Sequence, residues 1–439
     1  MPEGVIVAAP ASGSGKTFVT LGLLRHFSER GVRCGSLKIG PDYIDPGFHA
    51  SATGRPCYNL DPWAMRPETV GEAVRLAGDG ADIVVCEAVM GLFDGAVGDL
   101  GSSADVARIS GWPVVLLLDA KAQGASVSAV VRGFATHRDD IAIAGVIFNR
   151  VGSARHEKIL RQAMARDLPK IPVLGCVPSD EATFLPSRHL GLVQAMEHAD
   201  LSTFIERAGA VVADHVDVAA VRALVRPWRG KTPETRTQPL APLGQKIAIA
   251  RDEAFTFTYP LICEGWRRRG AELSFFSPLE DEAPNTDADA VFLPGGYPEL
   301  HAWRLASAEQ FLGGLRDAAA RGVVIYGECG GYMVLGRGMV DADGTAHAMA
   351  GLLPLGTSFA ERRLNLGYRR VKLIAETPLG QVGHRLRGHE FHYATASNEG
   401  PGDALFDSVD AHGENRARVG LVNGRVFGSF IHLIDKENR

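Results

Sequence analysis

Short runs of apolar and β-branched residues alternate along this chain with longer stretches of helical period. Val5-Ile-Val-Ala-Ala9, Asp82-Ile-Val-Val-Cys86, Val114-Val-Leu-Leu-Leu118, Ala142-Ile-Ala-Gly-Val-Ile-Phe148 and Ile171-Pro-Val-Leu-Gly175 lack polar alternation. That is the pattern of parallel strands covered on both faces. Helical patterns fill the intervals 16–30, 67–77, 126–136 and 154–166. Strand–helix alternation of this kind predicts βαβ units with right-handed crossovers.

Between Arg226 and Gln245 the pattern lapses: four prolines and no apolar period mark a linker. Strand patterns resume at Lys246-Ile-Ala-Ile-Ala250, Leu273-Ser-Phe-Phe276, Ala290-Val-Phe-Leu293 and Val323-Val-Ile-Tyr326, and beyond Gly351 the chain reads as short strands and turns. The expected organisation is α/β in two domains, 1–225 and 246–439, joined by a linker at 226–245. The first is expected to be a doubly wound parallel sheet.

Composition narrows the function classes. Of 439 residues, 46 % are apolar and 22 % charged, and the formal net charge is −5 with no basic block. A phosphate-backbone footprint is not expected, so nucleic acid is excluded as a partner. No apolar run approaches the ~18 residues of a membrane span. The start moves directly into a strand pattern without a basic leader. Six cysteines lie far apart with no C-x-x-C pair, unlike a disulfide scaffold or zinc module. The expectation is a cytoplasmic protein.

The first strand runs into Pro10-Ala-Ser-Gly-Ser-Gly-Lys-Thr17, and a helix follows. Small residues here let backbone N–H groups curl round phosphates at a helix N-terminus. In that reading Ser12, Gly13, Ser14, Gly15, Lys16 and Thr17 bind ATP, with Lys16 on the β/γ-phosphates and Thr17 on Mg²⁺. The loop is atypical in that Pro10 occupies the place of the first motif glycine.

Walker-type chemistry also requires a carboxylate at the end of a neighbouring strand. Glu87 ends the strand begun at Asp82, Asp94 lies on the loop beyond, and Asp42 and Asp45 follow Lys38-Ile-Gly-Pro. In a doubly wound sheet such loops converge over one crevice. Glu87 and Asp42 are expected to hold Mg²⁺ with Thr17. Asp45 and Asp94 are expected on the outer loops, toward substrate.

In the second half, Gly327-Glu-Cys-Gly-Gly331 sits between a strand and a helical stretch. Glycines on both sides of Cys329 permit a strained nucleophile elbow, with sulfur in place of the serine oxygen. A helix N-terminus is expected to lower the thiol pKa. Gly330, with Gly296 of Leu293-Pro-Gly-Gly-Tyr297, can supply an oxyanion hole. Among His384, His389, His392 and His432 the expected base is His432, at the end of a good last strand.

Taken together and in this order, these motifs resemble the cobyrinate or hydrogenobyrinate a,c-diamide synthases along nearly the whole chain. The match is carried by Ser12–Thr17, Lys38–Pro46, Met90-Gly-Leu-Phe-Asp-Gly95, Ala250-Arg-Asp-Glu-Ala-Phe255, Leu293–Glu299, Gly327–Met333 and Gly388-His-Glu-Phe-His-Tyr393. The first half is similar to dethiobiotin synthetase and the second to class I glutamine amidotransferases.

The resemblance implies a ligase that hydrolyses glutamine at Cys329 and passes ammonia to the first domain. There a corrinoid carboxylate activated by ATP·Mg²⁺ as an acyl phosphate becomes an amide, at the a and c acetates. It further implies that Asn149 faces adenine, and that Lys38, Tyr43 and Ser102 or Ser103 lie near phosphate or substrate. Many such amidotransferases carry His-x-Glu, whereas this chain has His432-Leu-Ile434. A Cys–His dyad is therefore implied, with Asp435 too near in sequence to be assigned as its orienter.

Arginine outnumbers lysine strongly, which favours the metal-free hydrogenobyrinate substrate over the cobalt corrinoid. Nickel-sirohydrochlorin a,c-diamide synthase is the alternative built alike. Cobyric acid synthase lacks the Gly-Pro-Asp-Tyr-Ile-Asp-Pro stretch. A P-loop regulatory ATPase with an inactive amidotransferase domain is the alternative of a different class. A homodimer is one expectation for the assembly.

Overall fold

The computed structural model describes residues 1–97, 100–179, 187–188, 191–192, 195–197, 200–231, 237–396 and 402–437. The chain divides into two compact units. One comprises Met1–Trp63 and Val70–Arg236, the other Ala64–Thr69 and Thr237–Arg439.

In the first unit, strands β1 (Glu3–Ala8), β2 (Cys34–Ile39), β3 (Cys57–Leu60), β4 (Ile83–Glu87), β5 (Val114–Asp119), β6 (Ile143–Val151) and β7 (Val173–Pro178) form one sheet. Their order is β3-β2-β4-β1-β5-β6-β7, all parallel. The intervening helices are α1 (Lys16–Glu29), α2 (Asp45–Thr53), α3 (Pro67–Gly78), α4 (Ser103–Ser110), α5 (Val127–Thr136) and α6 (Ala154–Asp167). Helices α7 (Leu201–His215) and α8 (Val218–Leu224) follow.

Residues Val5, Val7, Val85, Val115 and Ile147 of the central strands pack with α1, α7 and α8 on one face. Leu116, Leu118, Val146 and Phe148 pack with α5 and α6 on the other. This two-sided burial is why the strands read as unbroken apolar runs. Helix α2 begins at Asp45, which was expected on an outer loop. Asp42 Oδ1 accepts the N–H groups of Ile44 and Asp45, and the chain turns into the helix there.

The second unit centres on β8 (Lys246–Ala250), β9 (Glu272–Phe276), β10 (Ala290–Leu293) and β11 (Val324–Glu328), with helices α9 (Pro260–Arg268), α10 (Ala302–Ser307), α11 (Glu309–Ala320) and α12 (Gly330–Leu335). The tail contributes β12 (Asn365–Leu373), β13 (Arg385–His392), β14 (Asp403–Asp410), β15 (Ala417–Asn423), β16 (Val426–Ser429) and β17 (Ile431–Lys436). The sheet order is β9-β8-β10-β11-β16-β15-β14-β12-β13-β17. Strands β9 to β16 in that order are parallel, and the remainder pair antiparallel.

Residues 64–69 were expected within the first domain but pack with the second unit. The anchor is Arg66, whose guanidinium donates to both oxygens of the buried Asp435 and to the Gln238 carbonyl.

Candidate active sites in the two units

The register of the first sheet brings together the residues expected at the nucleotide site. Lys38 on β2 and Val7 on β1 both stand opposite Glu87 on β4, so the C-terminal ends of three neighbouring strands meet at one place. Glu87 Oε1 accepts from Thr17 Oγ1 at 2.8 Å and from Lys38 Nζ at 2.9 Å. Its other oxygen lies 2.7 Å from His49 Nε2. Thr17 Oγ1 is also 3.3 Å from Asp45 Oδ2, and Lys38 Nζ reaches the same Asp45 oxygen at 2.5 Å.

Burial works against every charge in this cluster, and the neighbours decide the outcome. Against its burial, the Lys38 ammonium is held well above the usual lysine value by Asp45, Glu87 and Asp42. Glu87 is buried too, but Lys38 and His49 keep its carboxyl below the usual range. Asp45 goes the other way, to about 7, because burial and the adjacent Asp42 outweigh Lys38. Lys16 falls to about 8 through burial and the nearby Lys38.

Gly15 caps α1 at φ 94°, a left-handed conformation that glycine adopts without strain. Ser14 Oγ closes the loop onto Ala11 O at 2.8 Å, and Gly13 is likewise left-handed. Lys16 Nζ bonds to the carbonyls of Ala11 (3.1 Å) and Met90 (2.7 Å). The loop therefore keeps its P-loop geometry although Pro10 replaces a glycine.

Thr17, Glu87 and Asp45 present hard oxygens of the kind that hold Mg²⁺ together with phosphate oxygens and water. Among the described residues no group of three or more His, Cys, Asp or Glu could hold a metal ion by itself.

Some expected residues stand elsewhere. Asp45, expected on an outer loop, is buried beside Thr17 and Glu87. Asp42, expected beside the metal, spends Oδ1 on turning the chain into α2, and its Oδ2 is 3.9 Å from Lys38. The exchange follows from α2, which begins at Asp45 and points it inward. Asp94 is exposed and closes a turn by accepting from Gly91 N–H at 2.8 Å.

Ser102 is the N-cap of α4, in a reciprocal pair with Asp105, and Ser103 Oγ donates to Val89 O at 3.3 Å. Both serines are buried helix-start residues, and their hydroxyls are engaged there. Tyr43 is half-buried in the turn before α2. Asn149 donates Nδ2 to the Ser14 carbonyl at 2.8 Å, so this amide braces the phosphate loop. The sequence reading missed Arg150, which donates to Gly13 O and pairs with Asp119, and His49 behind Glu87.

In the second unit, pairing again sets the site. Leu293 of β10 stands opposite Gly327 of β11, and Glu328 opposite Ser429 of β16. The glycine turn after β10, the elbow after β11 and the start of β17 are thereby brought together. Cys329 sits at φ 46°, ψ −103°, a sparsely populated conformation for a side-chain-bearing residue. Its N–H donates to Ser429 O at 2.9 Å. Gly331 is required by close approach, since a Cβ there would stand 1.9 Å from the Leu293 carbonyl oxygen.

Cys329 and His432 flank Gly295. A Cβ at that glycine would lie 2.3 Å from His432 Cε1 and 3.3 Å from Cys329 Cβ. A Cβ at Gly330 would lie 3.2 Å from Gly296 N, so the two expected oxyanion donors are also neighbours. The expected fall in the Cys329 pKa is not found: burial and the nearby Glu299 push the thiol well up, against the pull of the Gly330 N–H.

Burial pushes His432 down to about 3, with His389 and His392 adding to the effect. His389 faces His432 across β13 and β17 and is itself buried. His392 stacks on Phe430 at 4.0 Å and lies 2.9 Å from Glu390 Oε1. Asp435 is taken up by Arg66. A carboxylate near the His432 ring is that of Glu328, with Oε2 3.8 Å from Nδ1.

Comparison with known proteins follows the same division. Residues 5–193 match the family described as the CobQ/CobB/MinD/ParA nucleotide binding domain, and residues 246–439 the CobB/CobQ-like glutamine amidotransferase domain. Full-length relatives carry the name hydrogenobyrinate a,c-diamide synthase. The Brucella anthropi protein is 54 % identical over 435 residues, 99 % of this chain and 98 % of its own length. The Sinorhizobium protein is 53 % identical over 99 % of each chain. The Rhodobacter capsulatus protein is 51 % identical, again over 99 % of each.

Proposed function

Since the chain belongs to the hydrogenobyrinate a,c-diamide synthase family, we propose that it amidates the a and c acetate side chains of hydrogenobyrinic acid in cobalamin biosynthesis, using glutamine and ATP. The observation that carries this reading is 54 % identity sustained over 99 % of the chain. Both halves needed for such chemistry lie within that span.

In the second unit, Cys329 attacks the glutamine carboxamide while His432 takes the thiol proton and returns it to the departing ammonia. Burial raises the thiol pKa, so the thiol needs a base to take its proton. Gly296 and Gly330 N–H groups stabilise the oxyanion. Water then releases glutamate from the thioester.

In the first unit, a substrate carboxylate oxygen attacks the γ-phosphorus of ATP and ADP leaves. Ammonia then attacks the acyl carbon and phosphate leaves. A carboxylate is a poor electrophile, and the phosphate supplies the leaving group it lacks. Lys16, with its lowered pKa, leaves its carbonyl contacts for the β/γ-phosphates. Lys38 neutralises Glu87 and stands where phosphate charge accumulates. Thr17, Glu87 and Asp45 would hold the divalent cation of the nucleotide, whose charge offsets that of the transferring phosphoryl group.

The test is to supply glutamine and ATP with either hydrogenobyrinic acid or its cobalt counterpart and identify products by mass spectrometry. Two successive amidations of the metal-free macrocycle are expected. Diamide from the cobalt corrinoid alone would overturn the substrate assignment. Absence of glutamate release with either would overturn the amidotransferase reading.

A further inference from the structure

The base of a cysteine–histidine pair works only if its far ring nitrogen carries the proton and is held in place. Here that nitrogen is His432 Nδ1, and no carboxylate stands two residues beyond His432 in sequence. Asp435, three residues beyond, is engaged by three donors of Arg66: its N–H at 2.8 Å, Nε at 3.0 Å and Nη2 at 2.8 Å.

Glu328 approaches from the other direction, as the last residue of β11 and the immediate predecessor of Cys329. Its Oε1 accepts from the Leu433 N–H at 3.0 Å and from Tyr326 O–H at 2.7 Å. One oxygen is thereby pinned to the backbone next to His432. The other, Oε2, lies 3.8 Å from His432 Nδ1. Both side chains are shut away from water, at 5 % and 1 % exposure.

We propose that Glu328 is the positioning residue for His432, taking the part of the absent carboxylate in the glutaminase reaction. This deepens the amidotransferase reading above and rests on it. Glu328 faces Nδ1–H and so leaves Nε2 as the proton acceptor. When the Cys329 thiol proton passes to Nε2, the resulting imidazolium is paired with the Glu328 carboxylate. The proton leaves with ammonia. Burial raises the Glu328 carboxyl to about 7 against the pull of its Tyr326 and Leu433 donors, so Glu328 takes this part in its ionised form, above that value. At 3.8 Å the pair is in ion-pair range, and it tightens as charge develops on the ring. The carboxylate and the nucleophile arrive on one peptide, so the elbow that presents Cys329 also sets the base.

Glu328→Gln tests this with little change of shape. Leu433 N–H can only donate, so it keeps the amide oxygen on its own side and turns the –NH₂ toward Nδ1. Two donors then face each other, and the ring is driven to the wrong tautomer. Glutaminase kcat is expected to fall by about 10²-fold or more, with KM for glutamine within about threefold. Glu328→Asp, which restores the charge, is expected to recover part of that loss. Nitrogen-15 spectra of the histidines are expected to show the proton of His432 moved from Nδ1 to Nε2 in the Gln variant. Amidation driven by free ammonia serves as the check that the variants are folded. Glu328→Gln within threefold of wild-type kcat, or with the His432 tautomer unchanged, overturns the proposal. A wild-type protein that releases no glutamate defeats the amidotransferase reading itself, a distinct result.

Discussion

Gly295→Ala isolates the contact on which the glutaminase geometry depends. Gly295 is not among the positive-φ glycines, so alanine suits its backbone and the perturbation is steric alone. The added methyl would stand 2.3 Å from His432 Cε1 and 3.1 Å from Nε2, whereas ordinary contact begins at 3.4 Å. The ring must therefore retreat by about 1 Å in a close-packed interior. A misplacement of that size costs about 10²-fold in rate, or about 2.7 kcal/mol of transition-state stabilisation. Overpacking itself costs about 1–3 kcal/mol, less than the roughly 5–15 kcal/mol that holds a domain folded. The Gly295 carbonyl accepts from Phe257 N–H at 2.9 Å, a backbone bond that does not involve the added methyl. Glutamate release should fall about 100-fold while ammonia-driven amidation continues near the wild-type rate. Glutaminase kcat within twofold of wild type would refute the placement of His432 against this turn.

Cys329→Ala should abolish glutamine-dependent synthesis and leave synthesis from free ammonia, measured side by side; equal loss of both in a folded protein would count against two separate sites. Lys16→Ala should remove amidation with either nitrogen donor while glutamate release persists, and ATP-dependent amidation near the wild-type level would contradict the phosphate-loop role. Arg66→Ala leaves the buried Asp435 carboxylate without its ionic partner, a loss of about 3–5 kcal/mol for the second unit. Chemical denaturation should show that loss, with part of it recovered in the double variant carrying Asp435→Asn; an unchanged midpoint for Arg66→Ala would remove the anchor from the account.

The parts of the sites that follow from local sequence were legible in it. Gly15, Lys16 and Thr17 lie where a strand hands over to a helix, and the backbone conformation of that junction is dictated by its own residues. Glu87 was readable because an apolar strand ending in a carboxylate can aim it only over the sheet edge. Cys329 was readable because glycines on both sides allow the elbow. His432 was harder, since four histidines follow the cysteine. It stood out only because a strand pattern leads into it.

The residues that stayed hidden are those whose role depends on which strands become neighbours. Asp42 and Asp45 look interchangeable as Pro-Asp-Tyr-Ile-Asp-Pro, and only the start of α2 turns one inward and the other into a turn acceptor. Arg66 sits in an unremarkable stretch, and no local pattern connects it with Asp435, 369 positions away. Glu328 was in plain view beside the nucleophile. Its carboxylate accepts from Leu433 N–H, 105 positions after Glu328, on the strand that carries His432, 103 positions after Cys329. A sheet that places β16 beside β11 and leads directly into β17 converts that distance into contact. Sequence spacing therefore identifies the groups that local backbone geometry presents, the candidate nucleophile and the phosphate loop. The groups that orient them are set by strand order, which is a property of the whole sheet.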